Sequence, residues 1–146
     1  MSRMVHSRPI GRHVLLVEDD AVDAMAVRRI FEQAGAVGGL VAAGDGSEAL
    51  GMLLGEDGEA PSPLPRLILL DLRLPKIDGI EFLRIIRSSD DDHIRSLPVI
   101  VLTSSNLPKD RKLTNALGVS GYFVKGIESD ELVKFLAEDF RYPGSA

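Results

Sequence analysis

Cysteine is absent from the sequence, which excludes disulfide bonds, thiolate zinc sites and cysteine nucleophiles. Tryptophan is also absent, and with two tyrosines and five phenylalanines the core must consist mainly of Val, Leu, Ile and Ala. No apolar run approaches the ~20 residues of a membrane-spanning helix, so we expect no membrane insertion. The 17 basic residues are fewer than the 22 acidic ones. The resulting net charge of -5 disfavours direct binding to nucleic acid, because phosphate neutralisation supplies much of that affinity.

The 146 residues are enough for one ordinary domain with a core and too few for two. We predict a flexible N-terminal tail over residues 1–11, one domain over residues 12–141 and a C-terminal tail over residues 142–146, with no output domain. The N-terminal segment has no apolar stretch long enough for a signal peptide. A cytoplasmic location is therefore expected.

Five short apolar runs recur along the chain and predict five strands. Each run is continuous rather than alternating, which is typical of strands buried on both faces of a parallel sheet. The runs are Val14–Val17, Leu40–Ala43, Leu67–Leu70, Val99–Leu102 and Tyr122–Val124.

Segments with helical spacing lie between the runs. In the first, Val27, Ile30, Phe31 and Ala34 share one helix face, and Gly35 is predicted to end the helix. The other predicted helices are one capped by Ser47 and ending at Leu54, one over Ile80–Ile86, one over Lys109–Leu117 ended by Gly118, and one capped by Ser129 and reaching about Phe140. Asp78-Gly79 is predicted to be a plain turn, and Gly55–Pro65 and Ser88–Leu97, with Asp90-Asp91-Asp92, are predicted to be solvated loops.

Alternating strands and helices predict an α/β protein of the (βα)5 type. Right-handed crossovers between parallel strands place helices on both faces of the sheet, which gives a doubly wound three-layer sandwich. The expected order of the five parallel strands is 2-1-3-4-5, the flavodoxin-like order.

Polar residues follow or close four of the predicted strands. The first run is followed by Glu18-Asp19-Asp20 and the third by Asp71, while Thr103 follows the fourth and Lys125 the fifth. Ligands of open α/β sheets bind beyond the carboxyl ends of the strands, near the point where the strand order reverses. We therefore expect these carboxylates, the hydroxyl and the ammonium to converge on one edge of the sheet.

This set of groups is suited to phosphoryl transfer. Clustered carboxylates raise one another's pKa unless a cation joins them, and oxygen ligands are those that Mg²⁺ prefers. A carboxylate can attack phosphorus to form an aspartyl-phosphate. Phosphoryl transfer depends mainly on positioning and charge neutralisation, which a metal ion and a lysine provide.

Each of these residues also has a purely structural explanation. Glu18-Asp19-Asp20 fits a helix N-terminus, where acids interact favourably with the helix dipole and Asp20 can be the cap. Asp71 fits a turn after a buried strand, although an acid there is costly to desolvate unless it is paired. Thr103 fits a strand end, Lys125 a solvated surface and Tyr122 a half-buried core position. His6, His13 and His93 are scattered, and no catalytic or metal role is predicted for them.

Four motifs, in this order, resemble those of the response regulator receiver domains of two-component systems. They are Val-Glu-Asp-Asp at 17–20, Leu-Leu-Asp-Leu-Arg-Leu-Pro-Lys-Ile-Asp-Gly at 69–79, Leu-Thr-Ser at 102–104 and Gly-Tyr-Phe-Val-Lys at 121–125. The resemblance covers roughly residues 13 to 140, so the domain at 12–141 is expected to be a receiver domain.

The resemblance implies a role for each of the site residues. Asp71 is the phosphoacceptor, and the metal ligands for Mg²⁺ are Glu18, Asp19, Asp71 and the main-chain carbonyl of Arg73. Thr103 and Lys125 hold the phosphoryl group. Tyr122 is the aromatic switch residue, which turns inward when Thr103 moves.

The function that the resemblance implies is that of a single-domain response regulator. A sensor histidine kinase would phosphorylate Asp71, and the protein would be no enzyme beyond catalysing its own phosphorylation and dephosphorylation. The long loop before the fourth strand resembles that of the small regulators that partner phytochrome histidine kinases. A bacteriophytochrome is therefore a candidate kinase. Other expected partners are a downstream phosphotransfer or target protein and a second copy of the chain, with apolar Leu132, Phe135 and Leu136 on the last helix as a candidate dimer face.

Two residues depart from the usual receiver pattern. Receivers usually have a proline joined by a cis peptide after the lysine, whereas this chain has Gly126, so the sequence leaves the isomer of the Lys125–Gly126 bond open. Arg73 is an unusual residue at its position, and its side chain could pair with an acid of the site or with the phosphoryl group.

Two other functions remain open on the sequence alone. The same fold could serve as a scaffold that is never phosphorylated, for which Gly126 and Arg73 are the only support. It could also be a small-molecule enzyme or a flavodoxin-type carrier. Glu18-Asp19-Asp20 argues against that alternative, because phosphate cofactors need glycine-rich turns that offer backbone N–H groups.

Overall fold

The computed structural model describes residues 10–33, 35, 39–55 and 63–139. The strands are β1 Val14–Val17, β2 Leu40–Ala43, β3 Leu67–Leu70, β4 Val99–Thr103 and β5 Gly121–Val124. The helices are α1 Ala21–Gln33, α2 Gly46–Leu54, α3 Gly79–Arg87, α4 Asp92–Arg95, α5 Pro108–Ala116 and α6 Ser129–Asp139. Most of the predicted N-terminal tail, Ala34, most of the Gly55–Pro65 loop, Phe140 and the predicted C-terminal tail lie outside the described residues.

All five strands are parallel and follow the order β2-β1-β3-β4-β5, which confirms the predicted flavodoxin-like sheet. The register pairs Val17 with Leu70 across β1 and β3, so the residues that follow these two strands emerge side by side. The order reverses between β1 and β3, the place where such sheets bind ligands.

Each strand is apolar along its whole length because successive side chains point to opposite faces of the sheet and both faces are covered. On one face, alternate strand residues pack against α1 and α6 through Val27, Phe31 and Leu132. On the other face, Phe82, Leu83 and Ile86 of α3 anchor a second buried cluster. Among the described residues, none of the helices is both long and apolar enough to cross a bilayer.

The candidate dimer face on the last helix is part of this core. Leu132 and Leu136 are 0% and 4% exposed, and the ring of Phe135 packs edge-on against Phe123 with 5.6 Å between centroids. These side chains lie on the inner side of α6 because they follow the helical period that faces the sheet. The sequence-based argument for this dimer face was therefore wrong.

Two helix N-termini differ from the prediction. Asp45, and not Ser47, caps α2: its carboxylate accepts the Glu48 N–H at 2.8 Å, while Glu48 accepts the Gly44 N–H in return. Asp78, predicted to lie in a plain turn, is instead the N-cap of α3, and its carboxylate accepts the Glu81 N–H at 2.9 Å. An aspartate before a helix satisfies N–H groups that have no partner within the helix.

The segment Ser88–Leu97, predicted as a solvated loop, contains the short helix α4. Asp91 caps it by accepting the N–H groups of His93 and Ile94, and Ile94 is buried. A run of three aspartates was mistaken for loop because its central member serves as a cap. The predicted ends at Gly35 and Gly118 are confirmed by their positive φ angles of 72° and 74°, whereas α6 begins at Ser129 itself.

Arg87, the last residue of α3, joins the ends of three helices. Its guanidinium donates to the main-chain oxygens of Arg95, Leu97, Leu117 and Gly118 at 2.7–3.3 Å. These oxygens lie at or just beyond the C-terminal ends of α4 and α5, where helix carbonyls have no partner within the helix and the dipole favours a cation. Only a guanidinium offers enough donors in one plane to reach them all.

We predict that Arg87→Met lowers the free energy of unfolding by about 3 kcal/mol, because four main-chain carbonyls lose a charged donor and two of these hydrogen bonds are partly buried. Arg84→Met, at an exposed position of the same helix, is the matched control and should change it by less than about 0.5 kcal/mol. Urea unfolding followed by circular dichroism measures both. Equal losses in the two variants would contradict the role of Arg87.

Candidate metal and acceptor site

The first acids of the site are placed by the ladder between neighbouring strands. Glu18 directly follows β1 and donates its N–H to Ala43 at 3.0 Å, and Asp71 directly follows β3 and donates its N–H to Val17 at 3.1 Å. Both residues are buried, with 5% and 6% exposure, while Asp19 is exposed to solvent. The sheet thus holds two carboxylates at its edge where water cannot fully solvate them.

Glu18, Asp19 and Asp71 form one oxygen cluster. Each offers a carboxylate oxygen, and these atoms all lie within 4.8 Å of one another. Oxygen atoms from carboxylates, one of them open to solvent, are the donor set that a hard divalent cation such as Mg²⁺ takes together with waters. The residues present therefore fit the metal that the sequence implied, and the structure brings together all three predicted carboxylate ligands.

Lys125 closes the site from β5. Its ammonium donates to Glu18 at 2.8 Å, to Asp71 at 3.0 Å and to Asp23 at 2.7 Å. The Lys125 N–H donates to Thr103 at 2.9 Å, which fixes its main chain against β4. The three N–H donors of the ammonium are matched by three carboxylates. The lysine is therefore an ordered part of the site and not a freely solvated surface residue.

Asp23 was missed by the sequence analysis. It lies in the first turn of α1, where an acid is explained by the helix dipole alone. The available signal was position: α1 starts directly after Glu18-Asp19-Asp20, so its first turn lies at the same edge of the sheet. Asp20 accepts the N–H groups of Val22 and Asp23 and is the helix cap that the sequence allowed as an alternative.

Burial and neighbouring charges set the protonation of the site. Burial raises the pKa of Glu18 to about 7, and the charge of Asp71 adds to the effect, against the opposing influence of Lys125. Burial lowers the pKa of Lys125, but its hydrogen bonds with Asp23, Glu18 and Asp71 outweigh burial and leave the pKa raised. Lys125 is therefore charged at neutral pH, while Glu18 titrates in that range.

Thr103 and Tyr122 meet at a residue that the sequence analysis did not single out, Ser105. Thr103 is fully buried at the end of β4, and its hydroxyl oxygen accepts the Ser105 N–H at 3.3 Å. The Tyr122 hydroxyl donates to the main-chain oxygen of Ser105 at 2.9 Å. The Arg111 guanidinium lies over the Tyr122 ring, 4.5 Å from its centroid, and its other partner is Glu128 at 3.4 Å.

Arg73 and Gly126 are placed as follows. The Arg73 N–H donates to Asp71 Oδ1 at 3.1 Å, and its side chain is exposed and makes no ion pair within the described part of the chain. The Lys125–Gly126 peptide is trans, and Gly126 has a φ of 78°. The ring of proline fixes φ near -65°, so a proline at position 126 could not adopt the backbone conformation that Gly126 has here.

Fold and site together define a receiver domain, with a doubly wound sheet whose carboxyl edge carries an acidic cluster, a hydroxyl and a lysine. Residues 14–137 match the family model described as the response regulator receiver domain. The chain belongs to the response regulator receiver family. This membership argues against the flavodoxin-type carrier.

Two regulatory proteins are similar to this chain over most of their length. A probable methanogenesis regulatory protein, FilR2 of Methanothrix harundinacea, is 39% identical over 129 residues, which cover 88% of this chain and 81% of that protein. Response regulator Rcp1 of Synechocystis sp. is 35% identical over 123 residues, covering 84% of this chain and 82% of Rcp1.

Two solved structures share the fold closely. The Mn²⁺-bound form of Rcp1 aligns with a TM-score of 0.75 at 32% identity, over 90% of this chain and 99% of that one. The phosphorylated cyanobacterial phytochrome response regulator RcpA aligns with a TM-score of 0.74 at 31% identity, over 87% of this chain and 89% of that one.

We predict that Mg²⁺ affinity falls as the pH is lowered through about 7, because a protonated Glu18 must ionise before the site can take a cation. Affinity at pH 6 should be about tenfold weaker than at pH 8, as measured by isothermal titration calorimetry. Glu18→Gln should bind more weakly at every pH but lose this dependence. A variant that kept the same pH profile would show that another group is responsible.

Proposed function

We propose that this protein is a single-domain response regulator that accepts a phosphoryl group on Asp71 from a sensor histidine kinase in a Mg²⁺-dependent reaction. The observation that carries the proposal is the setting of Asp71. This carboxylate is buried to 6% exposure, 3.0 Å from the ammonium of Lys125, within an oxygen cluster that fits a divalent cation. A carboxylate so placed is a nucleophile with its charge partners already in position.

In the proposed reaction, a carboxylate oxygen of Asp71 attacks the phosphorus of a phosphohistidine. The new O–P bond forms as the P–N bond breaks, and the leaving imidazole nitrogen retains the electron pair of that bond. The developing charge lies on the three phosphoryl oxygens. Lys125 donates to one of these oxygens, and the Thr103 hydroxyl donates to another.

The metal ligands in this proposal are Glu18, Asp19, Asp71 and the main-chain carbonyl of Arg73. When bound there, Mg²⁺ neutralises charge on the phosphoryl oxygens and on the carboxylates. The Mn²⁺ form of Rcp1 supports a divalent ion, and the phosphorylated form of RcpA supports phosphoryl acceptance in this family.

Phosphorylation would be transmitted through Ser105. A phosphoryl group that draws the Thr103 hydroxyl away weakens its bond to the Ser105 N–H, and the oxygen of Ser105 holds the Tyr122 hydroxyl. The two arrangements of this segment would be the two states that phosphorylation shifts. The surface that a partner would recognise is then the face of α5, β5 and α6, on which Arg111 and Tyr122 lie.

The partners and location follow from the same family likeness. RcpA is a phytochrome response regulator, which supports a bacteriophytochrome as the kinase. The signal would pass to a downstream phosphotransfer or target protein by protein contact in the cytoplasm, without direct binding to nucleic acid or membrane. Homodimerisation remains a prediction, and the dimer would have to form through a surface other than the buried face of α6.

We predict that incubation with Mg²⁺ and a small acyl phosphate adds one phosphoryl group to the wild type, detected by intact-protein mass spectrometry, and none to Asp71→Asn. EDTA added before the donor should prevent labelling, because the charge of the cluster is then not neutralised. Asp78→Asn is the matched control: it removes an acid from the same segment, and asparagine still caps α3.

Label on Asp71→Asn would refute the acceptor assignment. A wild type that stays unlabelled both by the acyl phosphate and by a phosphorylated histidine kinase would favour the scaffold. Labelling that persists in EDTA would refute the metal dependence alone.

A further inference from the structure

Lys125 has one partner that lies outside the metal and acceptor cluster. Of its three carboxylate contacts, Glu18 and Asp71 belong to the oxygen cluster, whereas Asp23 does not. Asp23 comes from α1 and makes the shortest of the three contacts, at 2.7 Å. Its side chain is 42% exposed, so no packing requirement of the core explains why an acid is there.

The other two contacts compete with the proposed chemistry. A cation taken up by Glu18 and Asp71 would draw on the same carboxylates that hold the ammonium, and phosphorylation would convert the carboxylate of Asp71 into an acyl phosphate, a mixed anhydride. Asp23 has neither task. It is therefore the partner that can keep hold of Lys125 in every state of the site.

Packing around Lys125 leaves open space beside its side chain. The following residue, Gly126, is exposed, has a φ of 78° and has no atom near its absent Cβ. A cavity of about 340 Å³ lies beside the lysine, between α1 and the residues that follow β5, with Ala26, Ile30 and Leu102 in its wall. A flexible lysine stem loses substantial rotamer entropy when it is held in one place, so open space beside it favours disorder.

We propose that Asp23 is a positioning residue for phosphoryl acceptance, which aims the Lys125 ammonium at the acceptor by holding it from the side of α1. The inference rests on the proposed function, since it assumes that Lys125 neutralises the transferred phosphoryl group. Asp23 supplies, through a charged hydrogen bond, a hold on the ammonium that the open space beside Lys125 does not supply through packing.

Simple electrostatics predicts the opposite effect for the loss of Asp23. The phosphoryl donor is an anion, so removing a negative charge near the acceptor reduces repulsion and should speed labelling. If Asp23 positions Lys125, its removal slows labelling despite the more favourable field. The direction of the change therefore separates the two effects.

The test is the initial rate of labelling by a small acyl phosphate at saturating Mg²⁺, compared among variants. We expect Asp23→Ala to label about tenfold more slowly than the wild type, because a displaced ammonium no longer meets the phosphoryl oxygens. Asp23→Glu should recover most of the rate. Asp20→Asn is the matched control: it removes one negative charge from the start of α1, keeps the cap and should label at least as fast as the wild type.

A second measurement reads the lysine directly and needs no phosphorylation. Hydrogen exchange of the Lys125 ammonium, followed by proton–nitrogen NMR on the full chain, should be at least about fivefold faster in Asp23→Ala than in the wild type or Asp20→Asn, because a charged hydrogen bond is lost.

The outcomes are distinct. Asp23→Ala labelling as fast as the wild type, or unchanged exchange at Lys125, would overturn the positioning role while leaving the proposed function intact. A wild type that takes no label from any donor would overturn the proposed function, and the exchange measurement would then still decide whether Asp23 holds Lys125.

Discussion

The site depends on one ammonium group that lies among buried carboxylates. Glu18 and Asp71 emerge from the middle of an apolar sheet, where an unpaired charge is costly, and Lys125 contacts both of them. Removing one partner of such a group leaves the others as uncompensated buried charges. Because the carboxyl ends of β1, β3 and β5 lie along a single edge, the parallel sheet is what makes this compensation possible.

One positive charge does not balance this group. Lys125 contacts the carboxylates of Glu18, Asp23 and Asp71, and Asp19 adds a further carboxylate to the cluster. Burial, together with the charge of Asp71, raises the pKa of Glu18 to about 7. A divalent cation would stabilise such a site, and in the proposed function it would also reduce the repulsion between the carboxylates and an incoming phosphoryl group. In the proposed function, affinity for metal and reactivity toward phosphorus would both arise from the same excess of carboxylates.

The site is also connected to a surface. Ser105 bonds to Thr103 through its N–H and to Tyr122 through its carbonyl oxygen, while its hydroxyl donates to Asp110 in the first turn of α5. A buried hydroxyl at the strand end is therefore joined to an aromatic ring on the outer strand by one residue. Short chains of hydrogen bonds of this kind have few alternative arrangements, which suits a two-state response.

The sequence by itself determined the sheet, its order and most of the site, because continuous apolar runs define buried parallel strands and Glu18, Asp71, Thr103 and Lys125 each directly follow one of them. It did not determine Asp23, Ser105 or the caps at Asp45, Asp78 and Asp91, since an acid or a serine near a helix start has several equally good explanations in one dimension. Only the tertiary structure decided that Asp23 reaches Lys125, 102 residues later in the chain, and that the apolar face of α6 is core. The physical reason is that strand-end positions are set by local pattern, whereas contacts between α1 and β5 depend on how the layers pack.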